Sequence, residues 1–122
     1  MAWIVLQSAE FEAWMGGLAE DAQDAIAVDV RVLEEIGPQL GRPHVDTLAG
    51  SRHPNLKELR TLFAHHQFRI AFAFDTKRQA ILLLGGDKTG ANQRRFYKTL
   101  IKEADAIFDR HLAKLKSKGQ KS

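Results

Sequence analysis

Apolar and polar positions recur with two different periods along this 122-residue chain, and each change of period marks an element. Residues 3–7 form a short apolar run of strand type, and Ser8, three residues before Phe11, reads as the N-cap of a first helix over residues 9–15. Gly16 and Gly17 interrupt that helix. Glu20 and Asp21 then place acids at the positive end of a second helix, in which Ala22, Ala25, Ile26, Val30, Leu33 and Ile36 recur at spacings of three and four until Gly37 and Pro38 stop it. Residues 39–55 contain Gly41, Pro43, Gly50 and Pro54 and read as a loop, with a short strand near residues 45–48.

Period two then takes over. Residues 56–63, 68–74 and 80–86 are three successive strands, and the short segments between them imply antiparallel hairpins. In the second strand Phe68, Ile70, Phe72 and Phe74 face one way and Arg69, Ala71 and Ala73 the other. Arg69 is therefore expected opposite the aromatic core, on a face that its small neighbours leave open to a ligand. Arg60 shares a face with Leu56 and Leu62, which reads as core, and Lys57 points the other way. Ile81, Leu82, Leu83 and Leu84 in sequence predict a strand buried on both faces and central in its sheet. From Asn92 the helical period returns, with Phe96, Leu100, Ala104, Ile107, Phe108, Leu112 and Leu115 as its stripe. The expected fold class is α+β, with an N-terminal strand and helical hairpin on a small, mainly antiparallel sheet and a C-terminal helix. Residues 1–115 read as a single domain and residues 116–122 as a basic flexible tail.

Composition changes this picture in three ways. The net charge of +3 hides an asymmetry: residues 1–87 hold 8 Lys/Arg against 12 Asp/Glu, whereas residues 88–122 hold 10 against 3. A basic C-terminal third fits a polyanion, an acidic partner or a solvated helix. Cysteine is absent, which removes disulfides, thiolate metal ligands and cysteine nucleophiles and fits a reducing compartment. The N-terminus lacks the basic start and apolar run of a signal peptide, and the longest apolar run, residues 80–86, is far short of the roughly 20 residues that span a bilayer. A cytoplasmic location with no membrane partner is the expectation.

Candidate chemistry gathers between residues 56 and 112, where strand cations precede a basic loop and a helix that opens with an aromatic hydroxyl. That arrangement suggests a small surface built to hold a polyanion. Gly85, Gly86, Asp87, Lys88, Thr89 and Gly90 look like a phosphate loop, but Asp87 stands where a Walker sequence needs glycine. His53, His65 and His66 lack the spacing of metal ligands, so no metal or cofactor is expected. His65 or His66 as a general base is more credible, because histidine titrates near neutrality. His111 reads as a surface residue.

The order of these elements, with Leu40-Gly41-Arg42-Pro43, Lys57-Glu58-Leu59-Arg60, Arg69-Ile70-Ala71-Phe72, Leu84-Gly85-Gly86-Asp87-Lys88 and Phe96-Tyr97-Lys98, resembles the RelE/ParE toxin superfamily over nearly the whole chain. The nearest branch is the phage-derived Gp49-like, HigB-type one. The resemblance implies a RelE-like fold and the toxin of a type II toxin–antitoxin pair, which cuts ribosome-bound mRNA without a metal. It also implies neutralisation by a helix-turn-helix antitoxin, which itself binds the promoter DNA. Arg69 would clamp the scissile phosphate, with Arg60, Lys88 and Tyr97 completing the catalytic set, and Lys57, His65, His66, Arg94, Arg95 and Lys98 would hold RNA. Alternatives implied by the same superfamily are a ParE-like toxin that acts on DNA gyrase by protein contact, and a degenerate toxin kept for antitoxin binding.

Overall fold

Strand β1 (Ile4–Gln7) passes straight into helix α1 (Ala9–Gly16) through Ser8, whose hydroxyl accepts the Phe11 N–H at 2.9 Å and donates to the Leu83 carbonyl at 2.5 Å. One side chain thus starts the helix and ties it to the sheet. The structure, a computed structural model, describes residues 2–120, with side chains described to residue 117. Helix α2 (Glu20–Ile36) ends where Gly37 takes φ of 71°, with the Trp3 ring so close that a Cβ there would lie 2.3 Å from it. A 3-10 turn, β2 (Val45–Thr47), β3 (Leu56–Phe63), β4 (His66–Phe74), β5 (Gln79–Asp87) and the long helix α3 (Gln93–Gln120) complete the chain.

The sheet order is β1-β5-β4-β3-β2, with β1 parallel to β5 and the other pairs antiparallel. Helices α1 and α2 cover one face, where Phe11, Ile26 and Leu33 pack on Leu59, Phe68, Ile70 and Phe72. Helix α3 covers the other, where Leu100, Ala104, Ile107 and Phe108 pack on Leu56, Ala71, Ala73, Ile81 and Leu83. The molecule is therefore three layers deep, and the expected α+β arrangement is the one observed.

Four expectations need correction. The face of Ala71 and Ala73 is not open: both residues are fully buried under α3, and their small side chains let the helix approach the sheet. The middle strand is β4, and β5 lies one place nearer the edge. Its burial on both faces is helped by a bulge, because Ala71 pairs with Leu84 while Phe72 pairs with Leu82, leaving Leu83 as the extra residue. Leu62 is not core; it is 75% exposed, beyond the stretch of β3 that β2 and α3 cover. The C-terminal segment read as a tail is helical as far as Gln120, and residues 121–122 lie outside the described residues.

Gly85 shows how closely the layers approach. A Cβ at this position would sit 2.3 Å from two ring carbons of Trp14, which itself packs edge-on against Phe68. Gly85→Ala should cost about 1–3 kcal/mol, as overpacking of a filled core does. The corresponding drop of several degrees in Tm should show in a thermal melt.

Candidate active site

Alternation along β3 and β4 sends Glu58, Arg60 and Arg69 to the α3 side of the sheet, at the end where α3 begins. Arg60 and Arg69 are directly opposed across the strand pair. Two like charges in that position repel, and Glu58, 3% exposed, lies between them. Its Oε2 accepts from Arg60 Nη2 at 3.1 Å, and its Oε1 lies 3.6 Å from Arg69 Nε and accepts the Tyr97 hydroxyl at 2.7 Å. A single carboxylate thus organises two guanidiniums and a phenol.

Arg69 is 6% exposed and only partly satisfied. Its Nη1 donates to the Phe68 carbonyl at 3.1 Å, while its buried Nε has no hydrogen-bond partner among the described residues and faces the Glu58 carboxylate at ion-pair distance. Arg60 is steadied from its other side by Asp46, at 3.2 Å, which also holds Arg42 at 2.8 Å.

Tyr97 is delivered by the first turns of α3. Asn92 caps that helix, its side-chain oxygen accepting the Arg95 N–H at 3.0 Å. Burial, and then the hydrogen bond to Glu58, hold the Tyr97 phenol above its ordinary value, so it stays protonated and donates. Lys88 stands with its ammonium 5.9 Å from the centre of the Tyr97 ring. Burial, reinforced by the charge of Arg69, lowers it from the usual lysine range.

Lys88 owes its place to a weld between two turns. Its N–H donates to the Gln67 carbonyl at 2.9 Å, and the Thr89 hydroxyl donates to the His65 carbonyl at 3.0 Å. Burial alone would raise the Asp87 carboxyl, but hydrogen bonds from the Thr89 N–H, His66 and the Gln67 N–H outweigh it and hold the group at about 2. The folded value lies below the ordinary 3.8, so this contribution to stability is present above that value and is lost as pH falls through about 2. Denaturation curves between pH 5 and pH 2 should show a loss of stability that Asp87→Asn makes smaller.

Not every candidate joins the cluster. Arg69, Arg60, Lys88 and Tyr97 converge, whereas Lys57 projects to the α2 side of the sheet, because it alternates with Arg60. Arg94 and Lys98 are exposed; Arg94, three residues before Tyr97, is its neighbour on the helix surface, whereas Lys98, one residue after it, lies on the adjoining face. Arg95 is exposed and turns toward the groove beside Leu84, Gly85 and Gly86. His65 is exposed at the β3–β4 turn, with its ring centroid 4.4 Å from that of His66. His66 stacks on Phe68 and is bound to Asp87 at 2.6 Å, on the face opposite Arg69. His111 is not a free surface residue; it is half-buried and holds Asp75 at 2.8 Å, fastening α3 to the β4–β5 turn. Among the described residues, no group of three or more His, Asp or Glu side chains is placed to hold a metal ion.

The family profile described as phage derived protein Gp49-like matches residues 13–109. The chain belongs to the Gp49-like family. It is 46% identical to HigB3 of Mycobacterium tuberculosis, over 93% of this chain and 95% of that protein. It is 47% identical to HigB2 of the same organism over 83% of this chain, and there it spans about half of the relative's length, 50%. Both relatives are named as toxins. The fold is that of RelE: a mutant of the Escherichia coli toxin in the free state superposes with a TM-score of 0.59 at 12% identity, covering 83% of this chain and 99% of that one. The archaeal RelE–RelB complex of Pyrococcus horikoshii gives 0.55 at 14% identity, covering 75% and 100%.

Within this Gp49-like chain the residue that sequence reasoning left without a role is Glu58. The signal was present in the alternation, since an acid two positions before Arg60 must share its face, opposite the strand arginine of β4. Asp46, which holds both Arg42 and Arg60, lies in a three-residue strand and carried no such signal.

Proposed function

We propose that this chain is the toxin of a toxin–antitoxin pair and acts as a metal-independent endoribonuclease on ribosome-bound mRNA. The observation that carries the reading is the convergence of Arg60, Arg69 and Tyr97 on the buried Glu58 carboxylate, with the Lys88 ammonium over the Tyr97 ring. Three cations against one carboxylate leave a net positive site, suited to a phosphodiester. The named relatives and the RelE-type fold support the toxin assignment, and the family's chemistry agrees with the cluster.

Each group takes one part of the reaction. Glu58 accepts the proton of the ribose 2′-OH as that oxygen attacks the adjacent phosphorus. Arg69 and Arg60 stabilise the charge that builds on the phosphoryl oxygens. Lys88, made more acidic by burial, gives a proton to the departing 5′-oxygen. The strand leaves as a 2′,3′-cyclic phosphate and a 5′-hydroxyl. Tyr97 positions Glu58 through its hydroxyl, and its ring offers a stacking surface to a base. Arg94 and Lys98 beside it contact flanking phosphates. A helix-turn-helix antitoxin neutralises the toxin and carries the pair to promoter DNA.

The test is 5′-end mapping of mRNA in a reconstituted translation system, with ribosomes present or omitted. New 5′-hydroxyl ends that need ribosomes are expected. Intact mRNA alongside arrested growth would overturn the nuclease reading and direct the search to a protein target such as DNA gyrase.

A further inference from the structure

A cavity of 420 Å³ opens beside the two arginines, lined by Asp29, Pro43, His44, Arg60, Leu62 and Arg69. It exists because β3 is longer than its neighbour. Strand β2 pairs only with residues 57–59, and the last outward backbone bond of β3 is Arg60 N–H to the His44 carbonyl at 2.8 Å. Residues that alternate with Arg60 direct their backbone groups to the same side, so the N–H and C=O of Leu62 face an edge where, among the described residues, no strand lies.

The walls differ in chemistry. Leu62 presents an apolar side chain that is 75% exposed, next to the charged cluster. Pro43 and His44 are exposed and offer a pyrrolidine and an imidazole ring. Asp29 stands on α2 and accepts the Thr61 hydroxyl through Oδ2 at 2.6 Å, which fixes the carboxylate while its Oδ1 takes part in no hydrogen bond among the described residues. An imidazole face, the apolar walls of Leu62 and Pro43, a free strand edge and a fixed carboxylate, all continuous with a pair of arginines, suit a planar heterocycle attached to a phosphate.

We propose that this cavity seats the nucleobase next to the phosphate held by Arg60 and Arg69, and that Asp29 selects bases carrying an exocyclic amino group. This rests on the ribonuclease reading above. A carboxylate accepts from the amino groups of adenine, cytosine and guanine, whereas uracil offers it only an N3–H flanked by two carbonyl oxygens that repel it. Leu62 supplies area rather than selectivity.

The experiment has two arms. In the first, cut positions in mRNA are mapped in the translation system for the wild type and Asp29→Asn. The asparagine still accepts from Thr61 but exchanges one acceptor oxygen for a donor. The wild type should favour amino-bearing bases over uracil at one position flanking the cut by about tenfold, in line with the discrimination a good base contact provides, and Asp29→Asn should remove or reverse that bias. In the second, binding to RNA made uncleavable by 2′-O-methylation is measured for Leu62→Asp, with folding checked by a thermal melt. A loss of about tenfold in affinity with an unchanged melt is expected. Cleavage with the same base distribution in wild type and Asp29→Asn would overturn the base pocket and leave the nuclease reading intact. Absence of any cleavage by the wild type would overturn both.

Discussion

Arg69→Ala should lower RNA cleavage by about 10²–10³-fold, the loss that follows removal of one preorganised donor to a developing oxyanion. The size of the effect comes from burial. Arg69 is 6% exposed and lies against the buried Glu58 carboxylate, so its charge acts in a site with little water to screen it. The fold should survive, because Glu58 keeps its contact with Arg60 at 3.1 Å and is not left as an isolated buried charge. Arg69→Lys restores a charge but not the planar fork, so it should recover only part of the activity. Single-turnover cleavage rates with circular dichroism on the same samples check both statements. Wild-type rates in the alanine variant would remove Arg69 from the chemistry.

Glu58→Gln should separate binding from catalysis. The amide keeps an acceptor for Tyr97 and a similar volume, so the side chain still fits between β3 and α3, but it no longer takes a proton effectively. Cleavage should fall by about 10²–10⁴-fold, the range for loss of a general base. RNA affinity should hold or rise, because the site gains one unit of positive charge. Titration with an uncleavable RNA, set beside the cleavage rate, distinguishes this from a structural role, for which both would fall together. If cleavage persists in Glu58→Gln, Glu58 is not the group that takes the proton.

Much of the architecture was legible because it depends on local signals. Ser8 caps the first helix by a bond to a residue three positions on, Gly37 ends the second by adopting positive φ, and the β3–β4 hairpin follows from two period-two runs joined by a tight turn at Ala64 and His65. The site was legible only in part. Arg60, Arg69, Lys88 and Tyr97 stood out as cations or an aromatic hydroxyl in informative places, whereas Glu58 looked like one more acid in a strand. Its role depends on what faces it from β4 and α3, residues 11 and 39 positions further along the chain.

The sequence by itself determined the elements, their order, and which residues share a face, because periodicity and turn chemistry act over a few neighbouring residues. It also carried the resemblance that the Gp49-like match bears out. Only the tertiary structure decided which faces are covered. Ala71 and Ala73 could have bordered a ligand, but they lie under α3, because small side chains give a helix the closest approach and burying its apolar stripe is favourable. The same packing brings Tyr97 onto Glu58, withdraws Arg69 from water and leaves Leu62 exposed at an unpaired strand edge. Burial and charge pairing are properties of contacts between distant segments, and no local pattern specifies them.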